Sequence, residues 1–163
     1  MTKSIHPSVY LAPGAQVIGK VAIGKDSSIW HNAVLRGDFA GITVGQETSI
    51  QDCAVVHSEP DKPTFIGDRV SVGHGAVIHC ATLSDECLIG MNATVLDKAV
   101  IGKHSIVGAG AVVSGDRKHP ENSLLLGVPA KVIREVTESE IRYIKENAQT
   151  YIELAKEYKN KEK

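Results

Sequence analysis

Residues 83–113 read LSDECLIGMNATVLDKAVIGKHSIVGAGAVV, and an aliphatic side chain returns at Leu83, Ile89, Val95, Ile101, Val107 and Val113. The interval is six throughout. Further back, the same register holds at Ile66, Val72 and Ile78, at Val44, Ile50 and Val56, and without a break at Ile5, Leu11, Val17, Ile23, Ile29 and Leu35. One hexad, between Ile78 and Leu83, is a residue short, yet all 18 positions are Ile, Leu or Val. Four residues after most anchors stands a small or β-branched residue, such as Ala33, Ala54, Ala76, Ala93 or Ala111. Glycine often follows the anchor directly (Gly24, Gly45, Gly67, Gly73, Gly90, Gly102, Gly108), which suggests positive φ at tight corners. A period of six fits neither a helix nor a lone alternating strand. It fits a triangular coil of short parallel strands in which each hexad supplies a face and a corner, three hexads make a rung, and rungs stack about 4.8 Å apart.

This pattern resembles the left-handed parallel β-helix of hexapeptide-repeat proteins, an all-β fold, and its hand is taken from that resemblance. The repeat predicts nearly six rungs from Ile5 to Val113, interrupted by loops at Phe39–Gly41 and at Ser58–Pro63. Past Ser114 the register is lost and GDRKHPENSLLLGVPAK reads as an irregular connection. Thr137 and Glu140 form a T-x-x-E capping box, and Ile141, Ile144, Ala148, Tyr151, Ile152, Ala155 and Tyr158 make one apolar stripe. The expected division is a β-helix over 1–120, a connection over 121–136, and over 137–163 a C-terminal α-helix packed on the coil, fraying at KNKEK.

Composition narrows the functions open to such a coil. Lys+Arg 18 against Asp+Glu 19 gives a net charge of -1 over 163 residues, which argues against a nucleic-acid partner. The mean hydropathy of -0.06 and the lack of a long apolar run argue against a membrane protein. The start MTKSIHPS lacks the pattern of a secretory signal, so a cytoplasmic location is expected. Cys53, Cys80 and Cys87 have no CxxC spacing and read as small, buried or half-buried fillers, with Cys80 pointing away from its strand neighbour His79. His6, His31, His104 and His119 read as surface polar residues, His31 having Asp52 within possible reach.

Because three hexads close a turn, residues at one offset from every third anchor stack in a column. Arg36, His57 and His79 follow Leu35, Val56 and Ile78 by one position; His31, Asp52 and His74 follow Ile29, Ile50 and Val72 by two, with Gln51 beside Asp52. Neighbouring imidazoles on successive rungs can share a metal, and three imidazoles with a fourth position for water make the open form of a zinc site. A flat coil face would leave such a site unshielded unless a second copy of the chain packed on it. The alternative is that these histidines are ordinary polar residues on an exposed sheet.

The stretches RGDFAGITVGQETSIQDCAVVH (36–57), VGHGAVIHCATLSDECLIGMNATVLDKAVIGKHSIVGAGAVV (72–113) and GVPAKVIREVTESEI, from Gly127, together resemble the γ-class carbonic anhydrases. The resemblance implies a homotrimer in which His57 and His79 of one subunit and His74 of a neighbour hold a divalent metal, zinc by default, with iron and cobalt also suited to imidazole. It implies reversible hydration of carbon dioxide to bicarbonate by a metal-bound hydroxide at the trimer interfaces. Arg36 and Asp38 match positions that pair at the interface. Gln51 and Asp52 match positions that orient solvent and support the pocket, and Tyr151 matches a tyrosine near the metal or, equally, a packing residue of the helix. The chain departs from the pattern at Phe39, where some members carry a glutamate, leaving Glu59 as candidate proton carrier, and at Ser49, where many carry asparagine. GVPAK also resembles the terminal turn of hexapeptide acyltransferases, so acyl transfer from acyl-CoA and a metal-bearing, non-catalytic scaffold stand as alternatives.

Overall fold

A computed structural model describes residues 3–161. The chain winds as a left-handed parallel β-helix of about seven rungs with one C-terminal helix. Three columns of inward side chains fill the prism, and strand register defines them. Val17, Leu35, Val56, Ile78, Val95 and Val113 stack on the first face. Ile5, Ile23, Val44, Ile66, Leu83, Ile101 and His119 stack on the second. Leu11, Ile29, Ile50, Val72, Ile89, Val107 and Leu125 stack on the third. Leu35, Ile50, Val56 and Ile78 are wholly buried, and the corner alanines Ala33, Ala54 and Ala76 are equally inaccessible because a larger side chain would not fit where two faces meet. Leu11, in the first rung with no rung beneath it, is instead exposed.

The coil runs a rung further than the sequence suggests. Six residues beyond Val113 the inward slot holds His119, and six beyond that holds Leu125, so the register persists through strands Lys118–His119 and Ser123–Gly127. A histidine in an aliphatic slot hides the last rung from a hydrophobic count. His119 is thus half-buried where a surface residue was expected: its Nε2 is buried with no hydrogen-bond partner among the described residues, and burial, reinforced by Arg117, pushes its pKa down. The chain then turns back as strand Ala130–Glu135, antiparallel to Ser123–Gly127, where an irregular connection was expected.

Phe39–Gly41 also differs from expectation. These residues lie within one continuous strand, Val34–Val44, whose register slips so that Gly37 faces Gly19 while Ile42 faces Val21. The extra residues therefore bulge opposite Lys20 instead of leaving the coil. The glycines after the anchors serve close approach, not positive φ. A Cβ on Gly45 would lie 2.6 Å from the carbonyl carbon of Gly67, closer than stacked rungs allow. Positive φ falls two residues later, at Asp26, Asn32, Glu47, Cys53, Arg69, Asn92, Lys98 and His104, whose local geometry is set by the corner.

The helix Glu138–Lys161 starts at the expected cap: the Thr137 amide donates to Glu140 Oε2 at 2.8 Å and the Glu140 amide donates to Thr137 Oγ1 at 3.2 Å. It continues through Lys161, with the last two residues of the expected fray, Glu162 and Lys163, outside the described residues. Ile144, Ala148, Ile152 and Ala155 bury its inner face against the third coil face, on strands Tyr10–Leu11, Ser28–Ile29, Ser49–Ile50 and Ser71–Val72. Four of the seven aromatics gather there: Trp30 meets Tyr10, Tyr151 and Tyr158 with ring centroids 5.4–5.5 Å apart. Among the described residues no helix is long and apolar enough to cross a membrane.

Candidate metal centre

The first face carries a histidine group at each edge. At its far edge, where the chain turns toward the second face, Arg36, His57 and His79 stack in register. His57 Nδ1 stands 3.2 Å from His79 Nε2. The other nitrogen of His79 lies 2.6 Å from Asp97 Oδ1, one rung up. Hydrogen bonding from Lys62, then from His79, holds the Asp97 carboxyl down near 2, so it is an acceptor only and His79 Nδ1 must donate to it. That leaves His79 Nε2 as a lone pair.

The neighbouring His57 then has no satisfactory neutral form. If His57 Nδ1–H donates to His79, its buried Nε2 presents a lone pair to Asp38 Oδ1, 3.4 Å away; both of these atoms lack hydrogen-bond partners among the described residues. If the proton sits on Nε2, two lone pairs face each other across 3.2 Å. Either tautomer leaves an excess of lone pairs. A cation relieves that excess, and the donor set therefore fits one. Asp38 is itself held by Arg36 Nη1 at 2.5 Å; burial alone would raise its carboxyl, but Arg36 outweighs it and lowers the pKa. Phe39 packs edge-on to His57, giving that site an apolar flank.

At the near edge, the corner entering the first face, His31, Asp52 and His74 form a column. Asp52 accepts on both sides: its Oδ2 lies 2.8 Å from His74 Nδ1 and its Oδ1 3.3 Å from His31 Nδ1. His74 therefore presents Nε2 outward. Beside it a cleft of about 200 Å³ runs beneath the helix, lined among others by Gln51, Met91, Tyr143, Asn147 and Tyr151. The outward serines of the adjoining third face, Ser28, Ser49 and Ser71, each accept from one side chain: Trp30 Nε1 at 2.9 Å, Gln51 Nε2 at 3.5 Å and Asn147 Nδ2 at 2.8 Å. Ser49, where asparagine is common, is thus the acceptor that steadies the buried Gln51. Burial, with Asp52 nearby, pushes the Tyr151 phenol up and keeps it protonated. Tyr151 both packs on Trp30 and lines the cleft.

The structure thus gathers the candidate residues into two groups. His57, His79, Arg36, Asp38 and Glu59 share one edge; His74, Gln51, Asp52 and Tyr151 share the other. His74 stands in the turn that enters the face and His79 at the face's other end, and among the described residues the group of three potential ligands that includes His79 does not include His74. Sequence reading missed Asp97 and Lys62, which complete the far edge. Glu59 is held by Lys62 (2.7 Å), and its Oε1 lies 3.8 Å from His79 Nε2. Cys80 is corrected as well: with φ at 52° it breaks strand alternation, and its thiol falls within 4.8 Å of the His79 and Asp97 ligand atoms. Burial raises its pKa, a poor start for a thiolate ligand. Cys53 is exposed, whereas Cys87 is buried, its thiol pushed up to about 12. His104, expected as a surface residue, pairs with Glu86.

The chain is similar to known proteins of one family. Residues 81–115 match the family described as bacterial transferase hexapeptide (six repeats). The chain is 47% identical to gamma carbonic anhydrase 2, mitochondrial, of Arabidopsis thaliana over 93% of its length, and spans 56% of that longer protein. It is 41% identical to the carbonic anhydrase of Geobacillus kaustophilus, covering 97% of this chain and 87% of that one. A crystal structure of a hexapeptide transferase family protein from Anaplasma phagocytophilum superposes with a TM-score of 0.92 at 39% identity, covering 96% and 92% of the two chains.

Proposed function

The chain belongs to the γ-class carbonic anhydrase family of hexapeptide-repeat proteins, and on that footing we propose that it hydrates carbon dioxide reversibly to bicarbonate at a divalent metal shared between copies of the chain. His57 and His79 of one subunit and His74 of the next would hold the ion, in a homotrimer. The observation that carries this reading is the excess of lone pairs at the His57–His79 edge, together with a third imidazole facing outward from the opposite edge of the same face. Between the two edges runs a column of Val34, Val55, Val77, Thr94 and Val112, half-buried except for the exposed Val55, a largely apolar strip suited to a second copy. Zinc is the default for imidazole ligands with an open position, and iron or cobalt would also suit.

When bound, the metal supplies positive charge that lets solvent ionise near neutral pH and attack carbon dioxide. The chain's residues do the rest. Asp52 and Asp97 fix the tautomers of His74 and His79 so that each offers Nε2. Gln51, anchored on Ser49, directs its amide at the reacting solvent. Arg36 and Asp38 brace the interface, and Tyr151 stands as a neutral phenol at the cleft. Glu59, the nearest carboxylate to His79 Nε2, is the proton carrier. A cytoplasmic setting accompanies this proposal.

The test is a carbon dioxide hydration assay on metal-replete protein beside an acetyl-coenzyme A hydrolysis assay. Hydration well above the free-metal background is expected. Full metal with no hydration would leave the scaffold reading, and turnover of acetyl-coenzyme A instead would point to acyl transfer.

A further inference from the structure

We propose that Asp97 and Lys62 are positioning residues that lock His79 in its metal-binding tautomer and hold the Glu59 loop against it. The inference rests on the metal-site reading above and deepens it. Four side chains from three segments close a circuit. His79 Nδ1 donates to Asp97 Oδ1 at 2.6 Å, Lys62 Nζ donates to Asp97 Oδ2 at 2.8 Å and to Glu59 Oε2 at 2.7 Å, and Glu59 Oε1 returns to within 3.8 Å of His79 Nε2. Each member constrains the next. With one oxygen on an imidazole and the other on an ammonium, the Asp97 carboxylate cannot rotate without losing a charge-assisted hydrogen bond. Lys62 also ties the tip of the 58–63 loop to the coil across 35 residues of sequence, so the Glu59 carboxylate stays near His79.

Asp97 could instead be a ligand itself, since His79, Cys80 and Asp97 hold their donor atoms within 4.8 Å of one another. The Lys62 ammonium argues against this, because a second cation on Asp97 would have to share the carboxylate with it. A third possibility is that the ion pair merely tethers the loop. Tether and brace differ in the state of the His79 ring.

The decisive measurement is the His79 tautomer in metal-free protein, read from the ring ¹⁵N shifts at one alkaline pH where imidazoles are neutral. The wild type should be the Nδ1–H form, and Asp97→Ala should shift it toward the Nε2–H form that an unconstrained imidazole prefers. Zinc affinity by chelator competition should fall about 10–100-fold in Asp97→Ala, the range found when a carboxylate behind a metal-binding histidine is removed, and less in Lys62→Met. Asp97→Leu fills a similar volume without an acceptor and supplies the same readouts if alanine unfolds the rim. An Asp97 variant that retains the wild-type tautomer, or that changes tautomer while holding zinc as tightly as wild type, overturns the brace. If wild-type protein takes up no zinc but its His79 follows the expected tautomers, the proposed function fails and the brace stands.

Discussion

The two edges of the first face pair imidazole with carboxylate in the same way and surround the pair differently. At the His79 edge the supports are charges: Asp97, Lys62 and Glu59 link coil and loop through ion pairs at 2.7–2.8 Å. At the His74 edge the support is packing. Asp52 holds the ring, but the cleft beside it is walled by a helix whose place depends on its own buried Ile144 and Ile152 and on Trp30 beneath it. Electrostatic support is local and tolerates loss of the helix. Packed support is cooperative, so damage at a distant hydrophobic contact reaches the site. A site assembled from one edge of each kind should fail in two separable ways.

The largest effect expected is from Trp30→Ala, which removes the ring around which Tyr10, Tyr151 and Tyr158 gather. It should cost about 3–5 kcal/mol in denaturant unfolding and disorder the cleft by Gln51 and Tyr151, with the His79–Asp97 contact unchanged by NMR. Equal disorder at both edges would erase the distinction. Next comes His74→Ala or His57→Ala, each expected to weaken metal binding by at least about 100-fold, or about 2.7 kcal/mol. Mixing the two variants should regenerate one complete site per mixed trimer. Full metal occupancy in His74→Ala would mean the edges do not share an ion.

A smaller loss is expected on the packed side from Gln51→Ala, which should lower hydration turnover about tenfold, or about 1.4 kcal/mol, while the metal content stays constant. On the charged side, Glu59→Ala should slow turnover only in weak buffer, where no small molecule can replace the carrier.

The smallest effect lies in the helix cap. Arg134, the Thr137 amide and the Thr137 hydroxyl hold the Glu140 carboxyl near 2, against an ordinary value of 4.5. A depressed carboxyl pKa stabilises the fold above the ordinary value, and that contribution is lost as pH falls from about 4.5 toward 2. Carboxyl ¹³C titration should show Glu140 protonating near 2, and Arg134→Met should move the midpoint up. Acid should then loosen the helix side through this group. A Glu140 midpoint at the ordinary value would remove the cap from the account of that edge.

Columns were legible in the sequence because stacking in a prism is a matter of counting. Arg36, His57 and His79 share an offset from their anchors, as do His31, Asp52 and His74, and both sets stack as counted. Asp97 was not legible, since it sits at a different offset from His79 and reaches it diagonally across a corner. Lys62 lies in a loop outside the register altogether. His119 misled in the opposite sense: a polar residue in an inward slot reads as the end of the repeat, while the backbone ladder continues past it to Leu125.

What the sequence determined by itself is therefore everything periodic. An aliphatic residue every six positions is buried by winding three hexads to a turn, which sets the faces and the vertical columns, and the helix cap follows from Thr137 and Glu140, three residues apart. The tertiary structure decided which face the helix covers, which edge a charged loop folds back to meet, and that His57 Nε2 and Asp38 Oδ1 are buried with no hydrogen-bond partner among the described residues. Those outcomes join segments tens of residues apart, through side-chain reach and burial that no local period records. The physical reason is that a repeat specifies one rung against the next, whereas a site needs groups from different corners to meet, and only the folded prism brings them together.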